Sequence, residues 1–374
     1  MKYSKYFVVL LIVFAVSCSR SSEQIEDASR YVYETPGNIG DGLEVSSLDT
    51  EGIDSEKIVN LHKLIIYGDF GDVHSLLIMK NGKLVFEEYY RNYSRESREK
   101  IYSVSKSVTS ALIGIAIEKD FIKSVDDKLY DFFPEYSNLR NDNKMKILLK
   151  HVLTMSAGLD WDEKTYPTTH RENDFGEMIR NGNWILYVLA RDMKTTPGTE
   201  FVYNTGLSVL LAGIIKNTTG SHADVFAENN LFIKLGITNY TWEKQDDGLP
   251  AAGSGLAMRP RDMMKFGYLY CNNGIWNNEQ ILSSSWITET FTNFVEAELE
   301  NSYGFTTGYG YQWWNHSGSF KGTDINSFSA QGYGGQYIII FPELELVLIL
   351  TQANNLIQDK TLEIIYEHIL PAIL

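Results

Sequence analysis

The chain of 374 residues is 44% hydrophobic and 13% aromatic, enough to bury one large core or two. Its 48 acidic residues outnumber 33 basic ones, for a formal charge of −15. That balance excludes nucleic acid and an anionic membrane face as main partners, because phosphate binding needs clustered Lys and Arg.

Met1-Lys-Tyr-Ser-Lys5 and the apolar run from Tyr6 to Val16 read as the charged and hydrophobic parts of a secretion signal, too short to span a bilayer. Ala15-Val-Ser-Cys18 resembles the bacterial lipobox, with Ala15 where Leu is usual. We therefore expect residues 1–17 to be removed and Cys18 to be lipidated. The membrane is then a partner only through this anchor, and Cys271 is left without a disulfide partner as a small buried core residue. Residues 18–50 are polar, acidic and aperiodic, as expected for a flexible tether, and the folded domain is expected over 51–374.

Asp54-Ser55 can cap a helix whose apolar face is Ile58, Leu61, Leu64 and Ile65. Val73 to Lys80 and Lys83 to Tyr90 flank Asn81-Gly82, a strong signal for a two-residue β-hairpin because both turn residues need positive φ.

The next stretch, Ile101-Tyr-Ser-Val-Ser-Lys-Ser-Val-Thr-Ser110, sets Ser103 and Lys106 three residues apart where an apolar helix begins. On a helix that spacing brings the two side chains together. The helix start also offers unpaired backbone N–H groups with partial positive charge. An acylating serine needs both, a base within reach and donors for the oxyanion. Ser97-Arg-Glu-Lys100 matches the same short pattern but lies in a solvated run, where a lysine keeps a pKa of about 10.4. Around Lys106, Val104, Val108, Ala111, Leu112, Ile115 and Ala116 recur at helical spacing, which would bury the amine and favour its neutral form. From these residues alone, the stretch is equally compatible with an ordinary core helix capped by serine.

Residues from about 119 to 247 show helical patterns, including Met145 to Leu153 and Leu207 to Ile215. Pro197-Gly-Thr-Glu-Phe-Val-Tyr-Asn-Thr-Gly206 places Tyr203 after a turn and just before a helix, a fixed position from which a phenol could deliver a proton to a leaving group. Among 23 tyrosines it stands out by context alone. Further on, the Gly-rich Ala330-Gln-Gly-Tyr-Gly-Gly-Gln336 enters a strand rather than a helix, which fits close backbone approach to a substrate carbonyl. Gln336 to Phe341 and Leu344 to Leu350 flank Pro342-Glu343 as a second hairpin, and Thr361 to Leu370 reads as a closing helix. The expected fold class is α/β (α+β): an antiparallel sheet built from both chain ends, flanked by the N- and C-terminal helices, with an inserted helical region.

Taken together, Ser103-Val-Ser-Lys106, Pro197-Gly-x-x-Phe-x-Tyr203 and the Gly-rich Ala330 to Gln336 resemble the serine β-lactamase-related superfamily. Leu153-Thr-Met-Ser-Ala-Gly-Leu-Asp160, Ala251 to Asp262 and Tyr309-Gly-Tyr-Gln-Trp-Trp314 extend the likeness from about Thr50 to the C-terminus. Nearest in pattern are class C β-lactamases, esterases of the same fold, D-aminopeptidases, DD-peptidases and 6-aminohexanoate-oligomer hydrolases. The resemblance implies that Ser103 is the acylated nucleophile, Lys106 its proton acceptor and Tyr203 the group sharing protons with the lysine and the leaving group. It implies an oxyanion hole from the backbone N–H groups of Ser103 and a residue near Tyr333, and substrate contacts from Gln331, Gly332, Asn204 and Thr205. It implies no cofactor.

Where β-lactamases and transpeptidases carry Lys-Thr-Gly, this chain has Ala330-Gln331-Gly332, without a cation for a substrate carboxylate. A lost charge-assisted hydrogen bond is worth about 1.5–3 kcal/mol. Tyr203-Asn204-Thr205 has Thr where Asn is usual, and Ser-Asp-Asn is absent. The expectation is a serine hydrolase of the cell envelope acting on a small or peptide-like ester or amide. A β-lactamase or DD-peptidase, and a non-catalytic envelope-binding protein, are the alternatives. No Gly-x-Ser-x-Gly occurs, which argues against a nucleophile-elbow hydrolase, and no His-Glu-x-x-His occurs, so no metal is implied. His151 is expected as a satisfied core residue, and His316 is not assigned to the site. Asp160, Asp162 and Glu163 are expected in a solvated loop.

Overall fold

The structure is a computed structural model that describes residues 28–297, 303–355 and 359–374. Residues 1–17 and Cys18 lie outside the described residues. The main sheet comprises β1 (Glu44–Val45), β2 (Val73–Lys80), β3 (Lys83–Tyr89), β4 (Val295–Glu296), β5 (Thr306–Tyr309), β6 (Trp314–Phe320), β7 (Thr323–Gly332), β8 (Gln336–Phe341) and β9 (Leu346–Gln352). Its order is β1-β3-β2-β9-β8-β7-β6-β5-β4, so the N-terminal hairpin sits directly beside the C-terminal strand. Every pairing in it is antiparallel except β1 with β3. The fold is mixed α/β, as the hairpins at both chain ends imply.

Asn81 and Gly82 both take positive φ, 52° and 74°, the geometry of a two-residue hairpin turn. The second hairpin differs in its turn. Pro342–Leu344 form a 3-10 turn, Glu345 is left-handed at φ 46°, and β9 restarts only at Leu346.

The principal helices are α1 (Ser55–Tyr67), α2 (Val104–Glu118), α3 (Asp174–Asn181), α4 (Trp184–Ala190), α5 (Thr205–Thr219) and α6 (Pro260–Cys271). A closing helix spans residues 361–373. Leu76 and Ile78 of β2 share one core with Ile58, Leu61 and Ile65 of α1 and with Ile364, Ile365 and Ile369 of the closing helix. Leu77 and Met79 face the other core, with α2, α5 and α6. The central strands are covered on both sides, which is why they read as unbroken apolar runs. Helix α2 lies buried between β7 and β8 on one side and α5 on the other, and this sandwich carries its N-terminus to the boundary between sheet and helical region.

Four expectations change. The part of the tether from residue 28 is packed onto the domain. Tyr31 stacks on His62 at 3.6 Å, the Tyr33 hydroxyl donates to the Val85 carbonyl at 2.7 Å, and β1 pairs in parallel with β3. Isolated tyrosines and two strand residues do this docking, so no periodicity announces it. Within 145–153 the expected single helix is a 3-10 turn, Lys144–Lys146, followed by a helix only over Leu149–Leu153. Ile147 between them is extended and its carbonyl accepts from Leu129 N–H. Cys271, at the end of α6, is half-buried rather than enclosed. Tyr240–Trp242, within the expected helical region, is a strand of a small three-stranded sheet.

Candidate active site

Ser103 occupies the N-cap position of α2 with αR dihedrals, φ −68° and ψ −10°, and its hydroxyl makes no capping hydrogen bond. A serine in extended N-cap geometry would turn its oxygen onto the helix N–H groups; this one keeps Oγ off them. The residue before it, Tyr102, is left-handed at φ 46°, a conformation that costs a non-glycine residue of order 1 kcal/mol or more. The Ser105 hydroxyl holds that turn by donating to the Tyr102 carbonyl while accepting from Leu256 N–H.

One turn into the helix, Lys106 is 1% exposed. Its Nζ donates to Ser103 Oγ at 3.0 Å and to the Gly253 carbonyl at 2.7 Å. Glycine at 253 makes the approach possible, since a Cβ there would meet Thr205 Cγ2 at 2.6 Å and Lys106 Nζ at 3.4 Å. Burial pulls the Lys106 amine down to about 8, and the Glu163 carboxylate opposes this by favouring the charged form. By contrast, Lys100 of the second Ser-x-x-Lys pattern is exposed and paired with Glu243 at 2.8 Å.

Tyr203 closes the constellation. Its ring stacks on Trp314 with centroids 5.8 Å apart, and Lys106 Nζ stands 4.9 Å from its centroid. Burial holds the phenol well above its ordinary range and Glu163 pushes the same way, while hydrogen bonding to Ser103 acts in the opposite direction. The phenol is thus kept protonated. Ser103, Tyr203, Thr205, Gln331, Gly332 and Tyr333 all line one cavity of about 570 Å³. Gly332 ends β7 so close to the helix start that a Cβ there would lie 2.3 Å from the Ile101 carbonyl. Among the described residues, neither the Ser103 nor the Tyr333 backbone N–H donates to another protein group.

Asn204 stands apart from the other sequence-selected residues. It is buried, and its Oδ1 caps α5 by accepting from Leu207 N–H at 3.2 Å. The register of the helix start hands the cavity position to Thr205 instead. Gln331 donates to Ser329 Oγ at 2.8 Å, and buried His316 contacts the same hydroxyl at 3.1 Å, so His316 supports the wall rather than lining it.

The residue that sequence reasoning missed is Glu163. It does not sit in a solvated loop. Its carboxylate accepts from the Thr205 N–H and hydroxyl, both at 2.7 Å, and from the Trp161 indole at 2.8 Å. Among the described residues it is the one charged side chain lining the 570 Å³ cavity. The available signal was Trp161-x-Glu163, a donor two residues from an acceptor, though Thr205 lies far along the chain. Tyr203 and Glu163 also line a larger groove of about 820 Å³, in which, among the described residues, Asp162, Glu163, Glu200 and Glu296 outnumber Lys164.

A sheet joined from both chain ends, with a buried Ser-x-x-Lys helix against an inserted helical region, is the architecture of β-lactamases and penicillin-binding proteins. A solved protein from Bacillus anthracis, described as a candidate 6-aminohexanoate-dimer hydrolase, superposes with a TM-score of 0.69 at 23% identity, covering 82% of this chain and 80% of that one. The hydrolase EstCE1, described as having promiscuous acyltransferase activity, gives 0.67 at 15% identity, over 87% of this chain and 99% of that one. In sequence, the chain is 22% identical over 288 residues to the 6-aminohexanoate-dimer hydrolase of Paenarthrobacter ureafaciens, covering 74% of this chain and 71% of the relative. The Beta-lactamase family model matches residues 73–367. The chain belongs to the β-lactamase family, whose members among these relatives are hydrolases of this fold.

Proposed function

We propose that this protein is a serine hydrolase that cleaves an ester or amide through an acyl-enzyme. The observation that carries the reading is the 3.0 Å contact between Ser103 Oγ and an amine that is buried and drawn down to about 8. In the neutral form Lys106 accepts the Ser103 proton as Oγ bonds to the substrate carbonyl carbon. The proton passes through the Tyr203 hydroxyl to the leaving oxygen or nitrogen as the scissile bond breaks. Water then attacks the acyl-enzyme by the same route and regenerates Ser103. The Ser103 and Tyr333 backbone N–H groups supply the oxyanion hole.

The preferred substrate lacks a carboxylate beside the scissile bond. Among the described residues the cavity offers Glu163 as its only charged lining group and the adjoining groove has an excess of carboxylates, so a substrate carboxylate meets repulsion and, at Ala330-Gln331-Gly332, no cation. Labelling with a fluorophosphonate and, separately, a fluorescent penicillin, followed by mass analysis, tests this. Ser103 should carry the first and little of the second. Strong, slowly released penicillin labelling would overturn the esterase preference, and no labelling by either would favour a binding protein.

Glu163 gives a signed prediction. Because its charge raises the Lys106 pKa, Glu163→Gln should move the acid limb of kcat/KM, which begins near pH 8 in the parent, to lower pH. Glutamine can still accept from Thr205. A limb that stays put or moves upward sinks the electrostatic role.

The setting is proposed to be the bacterial cell envelope, periplasmic or outer-membrane, with the chain secreted and tethered by lipid on Cys18. Mass analysis of detergent-extracted protein should find lipidated Cys18 as the N-terminus. Recovery of a chain that retains residues 1–17 contradicts it.

A further inference from the structure

A second cavity adjoins the reaction cavity at Ser254. Ser254, Thr205 and Phe175 wall both, and the second, of about 360 Å³, is completed by Met178 and Ile179 of α3, Trp184 of α4 and Val209 of α5. The charged side chains that reach this second cavity are Glu243 and Lys244. Both are exposed and ion-paired, Glu243 with Lys100 at 2.8 Å and Lys244 with Asp224. Apart from these two and the Thr205 and Ser254 hydroxyls, its side-chain walls are hydrocarbon and aromatic, and it shares Phe175, Thr205 and Ser254 with the cavity that holds Ser103.

We infer that this side cavity binds the acyl chain of the substrate, a hydrocarbon chain attached to the carbonyl that Ser103 attacks. The inference rests on the serine-hydrolase reading given above. Its direction comes from Tyr203, which lines the reaction cavity and the acidic groove but not the apolar cavity. A leaving group that takes its proton from Tyr203 departs toward that acidic groove. The other substituent of the carbonyl then points toward Thr205 and Ser254, into the apolar cavity. The chemistry of the two sides agrees with this division. Asp162, Glu200 and Glu296 solvate a polar or amine-bearing leaving group, while Met178, Trp184 and Val209 exclude water from a chain. At about 30 Å³ for a group the size of a water molecule, the cavity holds no more than roughly a dozen such groups, so the chain is of medium length.

Two ester series on the full-length protein decide the matter. In p-nitrophenyl esters from acetate to decanoate, kcat/KM should rise by about fourfold per methylene while the cavity fills, since a buried methylene is worth about 0.8 kcal/mol. Acetate to hexanoate, four methylenes, should therefore gain about two hundredfold. In acetate esters of alcohols from methyl to octyl the gain should be absent. Val209→Phe, which fills the cavity, and Ile179→Asp, which makes its more exposed wall polar, should each lower the ratio of hexanoate to acetate turnover at least about tenfold. A flat acyl series, a gain confined to the alcohol series, or an unchanged ratio in both variants overturns the assignment. If Ser103 is labelled by fluorophosphonate under any of those results, the hydrolase reading stands and only the acyl pocket falls. If no ester is turned over and Ser103 stays unlabelled, both fall together.

Discussion

Ser103→Ala is expected to remove about six orders of magnitude of kcat while leaving stability almost untouched. Loss of a serine nucleophile in a hydrolase acting as a unit with its base costs on the order of 10⁶, and Ser103 Oγ is the hydroxyl to which Lys106 Nζ donates. The stability half of the prediction is the more particular. An ordinary N-cap serine changed to alanine costs about 1 kcal/mol, because the cap bond to the helix N–H groups is lost. Here the Ser103 hydroxyl makes no cap bond, and Lys106 keeps its contact with the Gly253 carbonyl at 2.7 Å. Urea unfolding of parent and variant should therefore agree within about 0.5 kcal/mol. An activity loss accompanied by a stability loss of 1 kcal/mol or more would mean that Ser103 is a structural cap, the ordinary alternative for this sequence pattern.

What could be read from the residues was mostly what short-range geometry decides. Asn81-Gly82 declared its hairpin because two successive positive φ angles suit few other residues. The nearness of Ser103 and Lys106 followed from helical spacing, and the burial of Lys106 from the apolar residues around it. Contacts made across long separations were not legible. Glu163 reads as one of several loop carboxylates until Thr205 arrives from 42 positions away to donate to it twice. The Gly253 carbonyl, the second acceptor for Lys106, lies 147 residues distant. Asn204 and Thr205 show a finer limit. Only the observed start of α5 determines which of two adjacent polar residues caps the helix and which faces the cavity. Residues 28–50 escaped notice because Tyr31 and Tyr33 dock singly, against surfaces formed by α1 and β3.

Lys106→Met should lower kcat/KM by about three to four orders of magnitude, the contribution of a positioned general base, and at neutral pH it should not destabilise the protein. The sign follows from linkage. Burial lowers the Lys106 pKa from 10.5 in the unfolded chain to about 8 in the fold. Between those values the unfolded state binds the extra proton, so stability attributable to this group rises with pH across that window. Below about pH 8 both states are protonated, and the fold carries the full cost of a buried ammonium, roughly 3 kcal/mol at 1.36 kcal/mol per pKa unit. Methionine, of similar length and apolar, removes that cost. It also leaves the Gly253 carbonyl without its donor, which costs about 1–3 kcal/mol. The two terms nearly offset near pH 7, and the variant should match or slightly exceed the parent in urea. Above pH 10.5 the parent sheds its burial cost and the comparison reverses. Following the difference between the two proteins from pH 7 to 11 cancels the other titrating groups, including the many tyrosines whose phenols burial holds above their usual range. A difference that does not change sign, or that moves against the variant as pH falls, would show that Lys106 is a stably charged, well-paired ammonium in the fold, unable to take a proton from Ser103.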